Sequence, residues 1–323
     1  MTCHGCLKDI RSGEFCPRCR KELFDGIAVS GGLPFSKPEF NAIRRDMSGR
    51  LSISGVQSKI SLTIQEKHFS TVSSQGTYIL KPSAAHYGMP YGNTMSENEH
   101  LTMQIARQVF SIQTAPCALV YFPDGERAYI TRRFDRVGDR KLQQEDFCQL
   151  ANQSEDTHGK NYKYDSSYEA VGRVLKQYCP SYKVEAVKLF SLILFSYIVS
   201  NGDLHLKNFS LLESEYGDFL LSPAYDLMNT TLHIPDEKRT ALEMFDTYES
   251  AFFSANGFYG SDDFKHLASL YGIAASLSEK ILNEFVSKED AIAQIVEVSF
   301  LPDDAKAIYL DLVKDRISAL KLK

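Results

Sequence analysis

The sequence predicts an α+β protein of two lobes, a small strand-rich one followed by a larger helix-rich one, with a short cysteine-bearing segment ahead of both. Three observations predict it. Between residues 51 and 136, apolar residues alternate or fall in short runs bounded by turn residues, which is the pattern of strands. From residue 137 onward the recurring signals are helix caps followed by apolar residues three and four apart. Finally, Cys3, Cys6, Cys16 and Cys19 stand in two pairs, at the spacing of a structural metal site.

Composition narrows the function classes. With 323 residues, 43% hydrophobic, 20 Phe and 17 Tyr, the chain can bury a sizeable core as one large domain or two ordinary ones. A net charge of −5 argues against bulk electrostatic binding to nucleic acid or anionic membranes. No uninterrupted apolar run approaches the ~18 residues of a membrane span. Met1-Thr2-Cys3-His4 lacks the basic and apolar regions of a secretory signal. Seven cysteines, four of them paired near the start, then read as metal ligands in a reducing cytoplasm rather than as disulfides.

Taken in order, residues 1–24 form a zinc-ribbon-like segment. Cys3-x2-Cys6 and Cys16-x2-Cys19 are two knuckles whose four thiolates suit tetrahedral zinc, with no position left open for catalysis. His4 is a weaker alternative ligand. A segment this short buries little and is expected to need its metal to fold. Arg18, Arg20 and Lys21 give it a basic edge, read as a solvated face. Residues 25–50 read as a linker with one short helix over 37–46.

Residues 51–136 form the strand-rich lobe. Ser54-Gly55-Val56-Gln57-Ser58-Lys59 is a loop of small polar residues that can bring backbone N–H groups against phosphates. Ile60, Leu62 and Ile64 then share one face of a strand. A second strand ends in Ile79-Leu80-Lys81-Pro82, and a lysine there can grip the α- and β-phosphates of a nucleotide. Ser96 and Glu99 open a helix carrying Leu101, Ile105 and Val109. Glu99 suits either a capping box with Ser96 or an ion pair with Lys81, and the lysine pair is preferred. Residues 118–122 and 127–136 read as a hairpin around Pro123-Asp124-Gly125, whose second strand would pass behind an adenine.

The larger lobe, 137–323, begins at Gln144–Leu150 with the first helical segment, and 156–165 reads as an exposed loop. Ser166-x-x-Glu169 caps a helix to residue 178, Ser276-x-x-Glu279 caps another, and 305–320 closes the chain as a helix. Residues 240–260 show no regular pattern. An apolar helix over 187–199 leads into Asn201-Gly202-Asp203-Leu204-His205-Leu206-Lys207-Asn208. An Asp five residues before an Asn is the spacing of a loop in which the Asp accepts a substrate hydroxyl's proton and the Asn binds magnesium. A hairpin follows (209–212 and 219–221, turning at Gly217), and just past it stands Asp226, where a second magnesium ligand is needed. Asp203, Asn208, Asp226 and Lys81 together predict an ATP–magnesium site. Chemistry of this kind gives the protein little covalent work, so aiming the nucleophile and neutralising charge are what these residues supply.

These blocks resemble the HipA family of bacterial toxin kinases, over residues 51 to the end. The matching pieces are Ser-Gly-Val-Gln-Ser-Lys at 54–59, Ile-Leu-Lys-Pro at 79–82, Glu-Asn-Glu at 97–99 and Arg-Arg-Phe-Asp-Arg at 132–136. Gln-Glu-Asp-Phe-Cys-Gln at 144–149, Asn-Gly-Asp-Leu-His-Leu-Lys-Asn-Phe-Ser at 201–210 and Pro-Ala-Tyr-Asp-Leu at 223–227 complete the set. The resemblance implies a two-lobed protein-kinase-like fold and a serine/threonine kinase using ATP and Mg2+. By position it implies catalytic Asp203, with His205 and Lys207 beside it. It places magnesium on Asn208 and Asp226, and the nucleotide on Ser54, Gly55, Val56, Gln57, Lys59, Lys81, Arg132, Arg133 and Phe134. Only a short segment stands where HipA proper carries an extra N-terminal subdomain, so the chain looks like the split, HipT-like branch. Its partners would be a small HipS-like protein, which supplies that subdomain, and a HipB-like helix-turn-helix antitoxin, with DNA reached only through the antitoxin. The implied substrate is a translation factor such as an aminoacyl-tRNA synthetase. Ser52 and Ser54 match the branch's autophosphorylated pair. The cysteine segment is outside this pattern.

Two other readings compete. Aminoglycoside- and choline-type phosphotransferases place a similar Asp-to-Asn loop before a magnesium Asp, but lack the 54–57 and 133–136 blocks. A non-catalytic nucleic-acid module on a decayed scaffold is opposed by the intact Lys81, Asp203, Asn208 and Asp226.

Overall fold

Alternation builds the small lobe. A computed structural model describes residues 1–48, 58–83, 88–138 and 140–322. In the N-terminal segment, α1 (Pro17–Phe24) and α2 (Lys37–Ser48) precede the strands. Strands β1 (Ile60–Gln65), β2 (His68–Thr71), β3 (Tyr78–Pro82), β4 (Cys117–Tyr121) and β5 (Arg127–Arg132) then pair in the order β2-β1-β3-β5-β4. Every pairing is antiparallel, with Leu80 opposite Ile130 and Lys81 opposite Tyr129. Side chains of successive residues leave a strand on opposite faces. Leu62, Leu80, Val120 and Ile130 therefore enter one core, while Cys117 and Tyr129 enter another with α3 (Met95–Gln108).

The first of these cores is closed by the N-terminal segment. Phe15, Cys19, Leu23, Phe24, Val29, Leu33, Phe35 and Phe40 all pack against the sheet. Val29, Leu33, Phe35 and Phe40, in the stretch expected to be a linker, therefore belong to the core of the small lobe. Tyr121 N–H donates to the Gly31 carbonyl and Leu33 N–H to the Tyr121 carbonyl, so this stretch runs along the edge of β4. The cysteine segment gathers its four sulfurs, compatibly with the zinc-ribbon-like reading, around a helix. Apart from an isolated bridge between Thr2 and Asp9, its regular element is α1, begun by Pro17 and capped by Cys16.

The large lobe opens on a short ladder, β6 (Arg136–Val137) with β7 (Arg140–Lys141). Gln144–Leu150, read from sequence as helical, is split. Gln144–Asp146 is strand β8, joined to β9 (Ser210–Glu213) and β10 (Phe219–Leu221), and only Phe147–Leu150 (α4) turns helical. Asp146 and Gln149 form the capping box that ends the strand and starts the helix. Then come α5 (Glu155–His158), α6 (Tyr168–Tyr178) and α7 (Tyr182–Ile198). The rest is α8 (Ala251–Asn256), α9 (Ser261–Leu270), α10 (Ala275–Val286), α11 (Glu289–Glu297) and α12 (Asp303–Lys321). Ser167, one residue past the expected Ser166, caps α6, and α10 starts ahead of Ser276. Residues from Leu189 to Val199 are almost all buried, so α7 is the central post of the large core, apolar on every side. Among the described residues no helix is long and apolar enough to cross a membrane.

Candidate active site

The buried α7 ends where the chain must turn sharply. Ser200 takes a left-handed φ of 56°, and Asn201 N–H returns to the Ser196 carbonyl at 2.8 Å. Gly202 can only be glycine here, because a Cβ would stand 2.6 Å from both the Glu237 carboxyl carbon and the Lys238 carbonyl. Its N–H donates to Thr230 Oγ1 at 2.7 Å. Asp203 follows with its backbone fixed by the Asn201 side chain (3.1 Å). The carbonyl of Asp203 accepts from His205 N–H (2.8 Å) and from Asn208 Nδ2 (3.0 Å). Asn208 stands at the end of a 3₁₀ turn, Leu206–Asn208. With its nitrogen engaged, its Oδ1 is the atom left for a cation. The five-residue spacing thus reflects a loop that closes on itself.

Asp226 reaches the same place by another route. Ala224 is bridged to Thr114, with Ala115 N–H on the Ala224 carbonyl at 2.9 Å and Ala224 N–H on the Gln113 carbonyl at 2.8 Å. The segment is thereby stitched to the small lobe. Beyond it, Asn98 on α3 accepts from Asn229 N–H (3.1 Å) and donates to the Asn229 carbonyl (2.8 Å). Between these ties Asp226 holds a left-handed φ of 60°, a conformation that favours short polar residues when it is not glycine.

Lys81 lies between two carboxylates. Its Nζ donates to Glu99 Oε1 at 2.7 Å and also to Asp226 Oδ1. Of Glu99's two expected roles, the structure gives it the lysine. Ser96 lies inside α3 and bonds Ser83 and the Lys81 carbonyl instead of capping. Burial opposes the charge on Lys81, but Asp226 and Glu99 outweigh it and hold the ammonium pKa above its usual value. Burial would raise Asp226, and Lys81 more than offsets this, so its carboxyl stays below the ordinary range. Glu99, fully enclosed, is pushed up by burial against the pull of Lys81. Lys59 belongs to the same charge cluster, its pKa lowered by burial while Asp226 and Glu99 oppose that shift.

All of these side chains face one cleft of about 1150 Å³ between the lobes. Lys59, Lys81, Glu99, Asp203, Asn208 and Asp226 line it together. His205 and Lys207 line it too. Burial lowers the His205 pKa while Asp203, 3.9 Å from its Nε2, opposes the shift, and Lys207 lies 3.8 Å from Asp146. Arg132, Arg133 and Phe134, expected to face the adenine, all line the cleft, and the two arginine side chains have partners of their own. Arg132 turns toward α1, bonding Asp25 at 2.7 Å and the Glu22 carbonyl at 3.2 Å. Arg133 forks onto Asp135 at 2.6 and 2.9 Å. The N–H groups of Arg132 and Arg133 donate to the Pro116 and Thr77 carbonyls, and both residues line the cleft. Phe134 reaches the cleft and stands over Tyr225, ring centroids 5.7 Å apart. Ser52, Ser54, Gly55, Val56 and Gln57 lie outside the described residues.

Two residues were not singled out from sequence. Tyr164, from the stretch read as an exposed loop, donates its hydroxyl to Asp203 Oδ1 at 2.5 Å and stands edge-on to His205. Asn98, the middle of the Glu-Asn-Glu block, ties α3 to the Asp226 segment.

Comparison with known proteins completes the description. The family model for the HipA-like C-terminal domain matches residues 51–294. A Haemophilus influenzae protein named "Putative kinase" is 30% identical over 99% of this chain and 97% of its own length. "Putative kinase Y4dM" of Sinorhizobium fredii is 33% identical over 72% of this chain, which spans 56% of that relative. Among solved structures, HipA of Shewanella oneidensis, in a complex with HipB and operator DNA, aligns with a TM-score of 0.64 at 21% identity. That alignment covers 84% of this chain and 65% of that one. The Helicobacter pylori proinflammatory kinase CtkA aligns at 0.54 and 13%, over 84% and 91%. At these identities the two structures speak to the fold alone.

Proposed function

The chain belongs to the family of the HipA-like C-terminal domain, and from that premise we propose that it is an ATP-dependent serine/threonine protein kinase, the toxin of a toxin–antitoxin pair acting in the cytoplasm. One observation carries the reading. Lys81 is held by Glu99 and Asp226 at the cleft wall, while Asp203 and Asn208, on a loop distant in sequence, face the same cleft.

The donors fit magnesium. Asn208 Oδ1 and the Asp226 carboxylate are hard oxygen ligands, and a cation, the Lys81 ammonium, already lies against Asp226. Magnesium bound there would neutralise charge on the nucleotide's phosphates. The chain's own residues do the rest. Lys81 and Lys59 hold phosphate oxygens. Asp203 accepts the proton of a Ser or Thr hydroxyl as that oxygen bonds the terminal phosphorus. The bond from this phosphorus to the bridging oxygen breaks, ADP departs, and the proton later leaves Asp203 for water.

By family resemblance the substrate is a translation factor such as an aminoacyl-tRNA synthetase, and the partners are a HipB-like antitoxin and a HipS-like subunit. Ser52 and Ser54 are proposed autophosphorylation sites. A phosphoserine's −1.5 to −2 charges beside ATP's own phosphates would repel the nucleotide. Labelled ATP tests the central reading. Label should enter protein in a cell extract, and Asp203→Ala and Asp226→Ala should each abolish transfer with an unchanged circular dichroism spectrum. Either variant keeping more than a few per cent of the rate, or label going only to small acceptors, would overturn it.

A further inference from the structure

We infer that Cys3, Cys6, Cys16 and Cys19 hold one zinc ion, and that this centre anchors α3, the helix that carries Glu99. The four Sγ atoms lie within 4.8 Å of one another, and the Cys6–Cys16 sulfur separation is 3.8 Å. A tetrahedron with Zn–S bonds of about 2.3 Å has sulfur–sulfur edges of about 3.8 Å, far longer than a disulfide bond. Backbone N–H groups point at the sulfurs: Cys16 N–H to Cys3 Sγ at 3.2 Å and Cys19 N–H to Cys16 Sγ at 3.4 Å, which favours thiolates. Gly5 lets the first knuckle close, because a Cβ there would meet Cys19 Sγ at 2.7 Å. His4 is not a fourth-ligand substitute; its ring packs edge-on to Phe15, Tyr121 and Phe300.

The coupling is as specific as the ligand set. The Gly5 carbonyl, between the first two ligands, accepts from His100 Nε2, and the Cys6 carbonyl accepts from Gln108 Nε2 at 2.9 Å. Arg107 pairs with Glu22 of α1 at 2.7 Å. His100, Arg107 and Gln108 all lie on α3, and His100 adjoins Glu99. The centre therefore clamps one side of the helix whose other side supplies the partner of Lys81. Four protein ligands make the site closed and structural.

The metal assignment and its coupling to α3 stand apart from the kinase reading. The full chain, purified without chelator, should carry one equivalent of zinc by elemental analysis, and Cys6→Ser and Cys16→Ser should each lose it. Exchange of cobalt(II) into the wild-type chain should give the intense charge-transfer bands of four thiolates in a tetrahedral field, which needs no variant to fold. Metal removal should raise amide hydrogen exchange in α3 before that in α7. Iron instead of zinc, a full equivalent retained in Cys6→Ser, or a cobalt spectrum without thiolate bands overturns the site. Unchanged α3 exchange in the metal-free chain overturns the coupling. A chain that binds zinc as stated yet transfers no phosphate refutes the kinase reading and leaves the metal centre standing.

Discussion

If a nucleotide binds as proposed, Lys81 would share its ammonium between phosphate oxygens and its present partners, and a substrate hydroxyl would compete with Tyr164 for Asp203. The second exchange is measurable. A hydrogen bond to a charged group is worth up to about 3 kcal/mol, less where water competes as it does here, so roughly 1 kcal/mol is lost when substrate displaces the phenol. Tyr164→Phe should therefore raise kcat/KM for a protein substrate about fivefold, read in steady-state kinetics; an unchanged value would mean the contact is incidental. A second titration belongs to Glu97, at the start of α3. Burial pushes its carboxyl from the ordinary 4.5 to about 7, with Arg127 only partly opposing. The folded chain then keeps a proton that the unfolded chain has released, so stability falls as pH rises from about 4.5 to about 7. Glu97→Gln should flatten part of that slope and add up to about 3 kcal/mol at pH 8. Chemical denaturation at pH 5 and pH 8 checks it. That Lys81, Asp203, Asn208 and Asp226 meet at one cleft was legible because local spacing and strand position place them there. Tyr164 and Asn98 were not, because each matters only through a neighbour far away in sequence.

At the scale of elements, periodicity identified most strands and the long helices, since burial on one face leaves a written pattern. Boundaries moved where several polar residues competed to cap. Ser167 rather than Ser166 starts α6 because its side chain accepts Ala170 N–H. The strand Gln144–Asp146 was hidden because all three of its residues are polar, so its pairing with β9 leaves no apolar alternation to read. Helix packing gives a sharper expectation. A Cβ on Gly172 of α6 would lie 2.1 Å from the Tyr271 ring, which is buried and donates its hydroxyl to the Tyr168 carbonyl at 2.5 Å. Alanine's better helix propensity, about 1 kcal/mol, does not offset overpacking of up to about 3 kcal/mol. Gly172→Ala should lower stability by about 1–2 kcal/mol in urea denaturation, with transfer rate little changed.

Across the whole molecule, the boundaries expected between the cysteine segment, the stretch after it and the small lobe are not boundaries of packing. Composition gave no hint of this, because Phe15, Leu23 and Phe24 look like sparse apolar residues until they meet the sheet. They share one core with β1, β3, β4 and β5. Removing residues 1–24 should thus expose a sheet face and yield an aggregating protein, rather than a trimmed active one, as size-exclusion chromatography would reveal. The same arrangement has a bearing on biosynthesis. Leu119 N–H bonds the His4 carbonyl, the Tyr78 hydroxyl bonds the Leu23 carbonyl, and Phe300 packs on His4. A ribosome adding roughly 5–20 residues per second leaves the cysteines waiting several seconds for β4, and longer for Phe300. During that interval Phe15, Leu23 and Phe24 lack the sheet that covers them, and a zinc ion captured as proposed would hold the knuckles in shape until the later strands emerge.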